Sequence, residues 1–293
     1  MSEGAAPPDV AAAASAWYRE HGRDFLWRRP GMTPWAIYLI EVMAQQTQIE
    51  RAARVALEWI ERWPSPSALA ATPPSEILKA WDRLGYPRRA LALHRAATAM
   101  AAEHGDEVPR DLTALLALPG VGPYTAAAVA SFAYGQRVPV VDTNIRRVLA
   151  RAIVGVESLA PSARRDAELM DSILPEDAEA AKVTNVAVME LGALVCTPRA
   201  PRCEACPIAD ACAWRAAGYP LADAPRRTRQ PRFAGSDREA RGLVMAELRS
   251  ADRPVGLDEL AVVVTDPERL ARALSGLLHD GLAVAADGGY ALP

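Results

Sequence analysis

The chain has 293 residues, 51% of them hydrophobic, and a formal net charge of −3 at pH 7. This length allows one large domain or a few smaller ones, with an ample core. The net negative charge excludes a protein that binds nucleic acid through bulk positive charge, so any contacts with phosphate would be local. The start of the chain lacks the features of a signal peptide, and no run of about 18 apolar residues follows. We therefore expect a cytoplasmic protein.

The first predicted helix covers residues 10–21, after a start that we expect to be disordered. A loop follows in which an aromatic side chain, Trp27, stands between charged ones, Arg23 and Arg28 among them. Trp27 either packs at a helix end or forms one wall of a base pocket, because proteins hold a flipped base by stacking.

The next helix, predicted over residues 35–48, holds a single acid, Glu41, among apolar side chains. A carboxyl group in such surroundings is costly unless it has a partner or a chemical role, and we expect a chemical role. The helix ends in the polar residues Gln45, Gln46 and Thr47. They form either a solvated loop or a wedge that fills the gap left by a flipped base.

Short helices with proline-rich connections are predicted between residues 51 and 104. Tyr86 lies in a loop between two of them, next to Arg88 and Arg89. It either caps the core or contacts DNA, and the residues themselves leave both interpretations open.

A glycine-containing turn separates two apolar helical patterns between Pro119 and Pro123, and Tyr124 belongs to the second pattern. This arrangement predicts a helix, a tight turn and a second helix. Gly120 and Gly122 have no side chains, so a phosphate group can approach the backbone and bind the free N–H groups of the second helix. Such turns are common, so this one alone favours nucleic acid only weakly.

Asp142 stands directly before a further helical pattern that continues from Asn144. Aspartate is a preferred N-cap residue, and this role alone would explain its position. A second interpretation places the carboxylate at a domain boundary, where it faces a bound nucleotide. The spacing leaves both interpretations open.

Four cysteines lie in one short window with the spacing C-x6-C-x2-C-x5-C: Cys196, Cys203, Cys206 and Cys212. In a reducing compartment this grouping indicates a metal site and not disulfides. Zinc sites usually pair two close couples of ligands, and the bacterial ferredoxin run is tighter. Four thiolates within one loop are nevertheless able to hold a single [4Fe-4S] cluster, so the spacing itself leaves zinc and an iron–sulfur cluster open.

The C-terminal region follows a proline-rich segment with four arginines at positions 226, 227, 229 and 232. This segment is either a plain solvated linker or one that follows phosphate. Beyond it, three helices are predicted over residues 237–250, 257–264 and 267–280, and a hairpin closes the chain. Three helices and a hairpin resemble a winged helix, an architecture that serves protein contacts as often as DNA.

The hairpin turn, Asp142 and the cysteine loop, in that order, resemble the helix-hairpin-helix DNA glycosylases that carry an iron–sulfur cluster, over about residues 15 to 215. Within this superfamily the chain is similar to the MutY-type adenine DNA glycosylases. Its EVMAQQTQ segment resembles their EVMLQQTQ, with Glu41 at the position of the catalytic acid. Tyr124 stands where the endonuclease III branch carries a Schiff-base lysine, which implies a monofunctional enzyme.

The resemblance implies a mainly α fold with a six-helix barrel, an iron–sulfur helical domain and a small winged-helix-like domain. The expected segments are a disordered start (1–9), the iron–sulfur helical domain (10–29 and 136–217), the barrel with the helix-hairpin-helix (30–135), an Arg/Pro-rich linker (218–235) and the winged-helix-like domain (236–293). The implied cofactor is a [4Fe-4S] cluster held by the four cysteines. The implied partner is double-stranded DNA with a mismatch, bound by a monomer.

The activity implied is excision of adenine mispaired with 8-oxoguanine or guanine. Glu41 would protonate the base and Asp142 would stabilise the sugar cation, as in glycoside hydrolysis with two acidic groups. The resemblance also implies that Tyr124 and Asn144 are hydrogen-bonding partners of Asp142, and that Gln46 and Tyr86 are wedges in the base stack. The residues implied around the adenine are Arg23, Trp27, Arg28 and Glu190. Further implied DNA contacts are Gln45, Thr47, Gly120 and Gly122.

Four features depart from the family pattern. Ala44 replaces a leucine beside the presumed adenine pocket, Pro87 replaces a second tyrosine after Tyr86, and Thr143 replaces a glycine after Asp142. The fourth is the C-terminus, where well-studied members carry a larger MutT-like domain that reads 8-oxoguanine. The alternatives are a thymine glycosylase for T opposite G, a lyase of the endonuclease III type, which Tyr124 disfavours, and a catalytically silent DNA-binding or redox-sensing iron–sulfur protein.

Overall fold

The computed structural model describes residues 9–25, 28–29, 31–221 and 233–293. The described residues are mainly helical. Predictions for Trp27, for the disordered start up to residue 8 and for the four linker arginines lie outside them. Among the described residues, no helix combines the length and the apolar character that a membrane span requires.

The helices follow one another along the chain with short connections. In order they are α1 (Val10–His21), α2 (Pro34–Ala44), α3 (Ile49–Arg62), α4 (Pro66–Ala70), α5 (Pro74–Trp81), α6 (Arg88–Glu103), α7 (Leu112–Ala117), α8 (Pro123–Tyr134), α9 (Thr143–Leu149), α10 (Ala163–Asp171), α11 (Ala178–Leu194), α12 (Ala213–Ala216), α13 (Asp237–Ser250), α14 (Leu257–Val263) and α15 (Pro267–His279). A π-helical turn (Ala150–Val154) continues α9, and two 3-10 turns (Cys203–Ala205 and Ala209–Ala211) lie in the cysteine loop. The strands are β1 (Val284–Ala286) and β2 (Gly289–Ala291).

The chain folds into two compact units. The first consists of Met1–Glu41, Pro109–Ala117 and Val121–Pro225, and the second of Val42–Val108, Leu118–Gly120 and Arg226–Pro293. The division into five segments made from the sequence stays a prediction.

The core of the first unit forms where α1, α9, α10 and α11 meet. Ala14 on α1 and Ala187 on α11 are fully buried, and their small side chains let the two helices pack closely. Ser15 and Thr184 form a buried hydrogen bond of 3.2 Å between the same helices, so the polar groups at this contact satisfy each other. This packing supports the start of α9, which Asp142 caps.

Helix α2 is shorter than predicted, because it ends at Ala44 and not at Gln48. The backbone of Gln46 has a φ of 53°, in the left-handed region that an α-helix does not allow. The amides predicted as the last helical turn therefore form a separate turn, which Thr47 closes by donating its hydroxyl to the carbonyl oxygen of Gln45. The other predicted helices agree with the observed ones to within a few residues.

The predicted helix-turn-helix around Gly120 is confirmed by the structure, which joins α7 and α8 by a short turn. Gly120 has a φ of 79°, and a Cβ atom there would lie 2.6 Å from the Cβ of Ala92. Gly122 is the N-cap of α8, with Pro123 at the first helical position. The two glycines therefore serve different purposes: the first permits a left-handed backbone and a close contact, and the second leaves the start of α8 uncovered.

The C-terminal region forms three helices and a hairpin, as the sequence predicts. Strands β1 and β2 pair antiparallel with Val284 opposite Ala291, and Val255 forms an isolated bridge to Tyr290. Leu248, Leu260, Leu270, Ala273, Leu274 and Leu277 fill the space between the helices. Helix α13 also packs against α5 of the same unit, where Lys79 forms an ion pair with Asp252.

We expect the substitution Gly120→Ala to lower the free energy of unfolding by about 2 kcal/mol, because alanine resists a left-handed φ and overpacks against Ala92. Gly122→Ala is the matched control, since its φ is −98° and a Cβ there would meet no atom within 4 Å. Urea unfolding of the two variants measures the difference. Equal stabilities would contradict the packing described for this turn.

Candidate active site

Glu41 lies in the last turns of α2 and is 9% exposed. Its Oε2 atom accepts a hydrogen bond of 2.9 Å from the hydroxyl group of Tyr124. Tyr124 reaches this position because α8 begins at Pro123, which places the tyrosine in the first turn. The predicted acid therefore has a hydroxyl partner inside the first unit, and that partner is the residue that replaces a lysine in the sequence comparison above.

The surroundings of Glu41 favour its protonated form. Burial raises the pKa of Glu41 to about 7, and the negative charge of Asp142 also raises it, while the hydrogen bond from Tyr124 and the charge of Arg28 act in the opposite direction. A carboxyl group with this pKa is able to donate a proton at neutral pH, which is the requirement for a general acid.

Asp142 is the N-cap of α9, so the first interpretation of this residue is confirmed. Its Oδ1 accepts a hydrogen bond of 2.7 Å from the backbone N–H of Ile145, and its Oδ2 accepts one of 2.8 Å from the side-chain amide of Asn144. Burial raises the pKa of Asp142, and these hydrogen bonds offset part of the rise. The second interpretation stays a prediction. The charge of Asp142 acts on both Glu41 and Tyr124, which belong to the same unit.

Asn144 is itself held by Arg147, a residue that the sequence analysis did not identify. The Nη2 atom of Arg147 donates hydrogen bonds to Asn144 Oδ1 at 2.9 Å and to the carbonyl oxygen of Gly192 at 2.5 Å, and its Nε donates to the carbonyl oxygen of Cys196 at 2.6 Å. Its position one helical turn after Asn144 was the available signal. The expected contact of Tyr124 differs, since its hydroxyl group bonds Glu41 and not Asp142.

Glu190 on α11 is fully buried and binds two arginines from the loop after α1. Arg23 contacts both of its carboxylate oxygens, through Nε at 2.9 Å and Nη2 at 2.8 Å, and Arg28 contacts Oε1 at 3.0 Å. Burial alone would raise the pKa of Glu190, but the hydrogen bonds and charges of the two arginines outweigh it and lower the pKa. The three residues assigned to the base pocket thus form one charged cluster, and Trp27 lies outside the described residues.

The predicted wedge residues belong to the second unit. Gln46 is exposed, and Tyr86 is 55% exposed and has a φ of 48°. Thr47 and Gln45 lie in the same turn as Gln46. The structure thus presents both wedge candidates to solvent on short turns.

The four cysteines line one cavity in the first unit together with Arg151, Trp214 and neighbouring residues. Burial raises the pKa of the Cys206 thiol to about 11, and charge on the other three cysteines raises it as well. Ionisation of all four thiols would therefore be favoured by a positive centre between them, and a donor set of four cysteines suits an iron–sulfur cluster. Within the described ranges, no three His, Cys, Asp or Glu side chains are placed to hold a single metal ion.

Arg151 supports the cysteine loop from the π-helical turn. It is 3% exposed, donates hydrogen bonds to Cys196 Sγ at 3.4 Å and to the carbonyl oxygen of Thr197 at 2.9 Å, and lies over the ring of Trp214. The role of Arg151 was not predictable from the sequence, because a lone arginine in a helical pattern is indistinguishable from a surface charge.

We expect Glu190→Gln to lower the free energy of unfolding by about 3 kcal/mol, because the amide removes the carboxylate charge that Arg23 and Arg28 share. Asp24→Asn is the matched control in the same loop, since it removes an exposed ion pair with Arg29 and should change the stability little. Chemical unfolding of both variants measures the effect. Similar losses of unfolding free energy in the two variants would show that the buried charge of Glu190 stabilises the fold no more than an exposed ion pair does.

Comparison with known proteins agrees with this geometry. Residues 39–170 match the model of the HhH-GPD superfamily of base excision DNA repair proteins, and residues 196–212 match the iron–sulfur binding domain of endonuclease III. The adenine DNA glycosylase of Mycobacterium tuberculosis is 50% identical over 281 residues, which cover 95% of this chain and 91% of that protein. The adenine DNA glycosylase of Mycolicibacterium smegmatis is 49% identical over 94% of each chain.

Solved structures show the same fold. A thermostable thymine-DNA glycosylase superposes with a TM-score of 0.63 at 27% identity, over 71% of this chain and 95% of that one. A non-covalent complex of endonuclease III with DNA superposes with a TM-score of 0.61 at 22% identity, over 73% and 99%. This chain therefore belongs to the MutY-type adenine DNA glycosylases, a family of the HhH-GPD base excision repair superfamily whose members hydrolyse N-glycosyl bonds and carry a [4Fe-4S] cluster.

Proposed function

We propose that this protein removes adenine mispaired with 8-oxoguanine or guanine from double-stranded DNA and leaves the sugar–phosphate strand intact. The observation that carries the proposal is the buried Glu41, with a pKa raised to about 7 and a hydrogen bond from Tyr124. The adenine DNA glycosylases of mycobacteria, with about half of their residues identical to this chain, support the choice of base.

Glu41 acts as the general acid. Adenine is a poor leaving group unless a ring nitrogen such as N7 takes up a proton, and a carboxyl group that is still protonated near neutral pH supplies that proton. The base reaches the acid only after it has left the helical stack. Tyr124 orients the carboxyl group through its hydroxyl donor.

Asp142 stabilises the sugar as positive charge develops on it. Glycoside hydrolysis uses a second carboxylate for this purpose, either as an electrostatic partner or as a nucleophile. The N–H of Ile145 and the amide of Asn144 each occupy one oxygen of Asp142 and fix its orientation. Arg147 holds Asn144 in turn and so acts on the carboxylate indirectly.

Strand cleavage through a Schiff base requires an amine near the sugar. The chain has two lysines, Lys79 and Lys182. Lys79 forms an ion pair with Asp252 in the second unit, and Lys182 lies 4.0 Å from Glu179. The tyrosine in the first turn of α8 and the engagement of both lysines elsewhere support a monofunctional mechanism.

The remaining proposed roles concern binding. The cluster of Glu190, Arg23 and Arg28 recognises the flipped adenine, and the uncovered start of α8 after Gly120 and Gly122 binds a phosphate group. Double-stranded DNA with a mismatch is the partner. The ligands of the [4Fe-4S] cluster are the four cysteines that line one cavity, Cys196, Cys203, Cys206 and Cys212. When bound, the cluster supplies a positive centre that orders the loop.

A mismatch thymine glycosylase is the second candidate. A thymine/uracil-DNA glycosylase of Pyrobaculum aerophilum is 34% identical over 199 residues, which cover 66% of this chain and 86% of that protein. A pyrimidine has no N7 atom, so Glu41 would then recognise the base and not protonate it. The raised pKa of Glu41 favours the purine.

The substrate is tested by single-turnover reactions on duplexes that carry A opposite 8-oxoguanine, A opposite G, T opposite G, or thymine glycol, each with and without alkali. We expect adenine release that appears as a nick only after alkali, and Glu41→Gln should abolish release but retain binding to the mismatch. Glu61→Gln, at an exposed position on α3, is the matched control. Release confined to T opposite G, or nicking of thymine glycol without alkali, would exclude the adenine function.

The rate of adenine excision should decrease as the pH rises, because Glu41 must be protonated to act as the acid. Its pKa is raised above the usual 4.5 to about 7, so the protonated form persists at neutral pH and is lost as the pH rises through 7. Single-turnover rates should therefore be highest below pH 7 and fall about tenfold for each unit above it. A rate that increases with pH over this range would instead identify Glu41 as a general base.

A further inference from the structure

The two turns that carry the proposed wedge residues share an uncommon backbone conformation. Gln46 has a φ of 53° and Tyr86 a φ of 48°, and Gly85 before Tyr86 has a φ of 81°. A residue with a Cβ atom is strained in this region, and the strain persists only where the surroundings hold it. Both turns belong to the second unit, so the contacts that hold them lie within one compact body.

One side chain contacts both turns. Arg89 lies in the first turn of α6, three residues after Tyr86. Its Nη1 atom donates hydrogen bonds to the backbone oxygens at the end of α2 and in the Gln46 turn: Val42 at 3.1 Å, Met43 at 3.4 Å, and Gln45. Its Nη2 atom donates to the Tyr86 turn and to the threonine after Gln46: Leu84 O at 3.4 Å, Gly85 O at 3.2 Å and Thr47 Oγ1 at 3.1 Å.

The guanidinium group is also fixed by aromatic rings. Its central carbon lies 5.2 Å from the ring centroid of Trp81 and 5.7 Å from that of Tyr86 itself. Trp81 is fully buried and donates its indole N–H to the carbonyl oxygen of Gly85 at 2.9 Å. The arginine is thus held in place from the protein side by a rigid ring, and its planar fork faces backbone oxygens from two turns.

Thr47 provides a second connection between the turns. Its hydroxyl group lies 3.3 Å from the carbonyl oxygen of Leu84 and 3.2 Å from that of Gln45, and it accepts the hydrogen bond from Arg89. A change in either turn therefore disturbs the hydrogen bonds of the other.

We propose that Arg89 is a positioning residue that couples the two turns, so that Gln46 and Tyr86 enter the DNA base stack as one rigid wedge. This inference rests on the proposed function and on the wedge role that the family resemblance implies for Gln46 and Tyr86. Arginine suits the role because its fork presents several donors in fixed directions, whereas a lysine ammonium is a point charge on a flexible stem. Flipping costs unstacking energy, and a wedge that is already ordered in the free protein loses less conformational freedom on insertion.

Hydrogen exchange on the DNA-free protein tests the coupling without any reaction. In Arg89→Gln, the Thr47 and Leu84 amides should both exchange about tenfold or more faster than in the unmodified protein, because local opening of one turn releases the other. The matched control is Arg88→Gln, which removes the same charge one residue earlier from a side chain that is 72% exposed. It should leave both amides unchanged. Faster exchange in one turn only, or in neither, would overturn the coupling.

Base flipping provides the second measurement, in a Glu41→Gln background so that no base is released. The probe is a duplex with 2-aminopurine opposite 8-oxoguanine, whose fluorescence rises when the base leaves the stack. Arg89→Gln should slow this rise about tenfold or more, whereas Arg88→Gln should stay within about twofold. If base flipping were slowed equally in both variants, Arg89 would act only through its positive charge, and the proposed coupling of the two turns would be wrong.

Arg89→Lys covers the case in which Arg89→Gln does not fold. Lysine keeps the charge but is unable to reach both turns at once, so the faster exchange of both amides should persist. Wild-type exchange in Arg89→Lys would contradict the proposal. If the unmodified enzyme releases no adenine, the proposed function fails, and the exchange experiment on the free protein still decides whether Arg89 couples the turns.

Discussion

The burial of one carboxyl group sets the conditions for the rest of the first unit. Glu41 is on an apolar helix, and its burial raises its pKa to about 7. The hydroxyl group of Tyr124, at the start of α8, donates a hydrogen bond to this carboxyl group and offsets part of the rise. A second carboxylate, Asp142, must remain near enough for its charge to matter. In the proposed mechanism the two acids have different tasks, Glu41 as the proton donor and Asp142 as the carboxylate that stabilises the sugar.

Arginines connect the parts of the molecule that bear function. Arg147 links the carbonyl groups of Gly192 and Cys196 to Asn144, Arg151 holds the cysteine loop, and Arg23 with Arg28 neutralises Glu190. In each case a planar group donates several hydrogen bonds to backbone or carboxylate oxygens from separate segments. The hydrogen bonds of these arginines are made within the protein. Their positive charges therefore stabilise the fold, in a chain whose net charge is negative.

Much of the fold was predictable from the sequence because its signals are local. The apolar spacing predicted the helices, the Asp-Gly-Gly turn predicted the C-terminal hairpin, and the cysteine spacing predicted the metal loop. Glu41 was identifiable because an acid within an apolar helix is costly. The predicted end of α2 was wrong, because Gln46 adopts a left-handed φ in a turn that receives hydrogen bonds from Arg89, far along the chain. The roles of Arg147 and Arg151 at the cysteine loop were not predicted for the same reason, because their contacts with Cys196 span more than 40 residues of sequence.

Gly192 places a constraint on the evolution of the site. A Cβ atom at this position in α11 would lie 2.8 Å from both the Cβ and the carbonyl oxygen of Asn144. Helix propensity alone would favour alanine over glycine there by about 1 kcal/mol. The exchange would nevertheless push α9 away and shift the amide that orients Asp142. A substitution that strengthens the helix locally would thus disturb the groups around Asp142, because the close approach of α9 and α11 leaves no room for a side chain at this position.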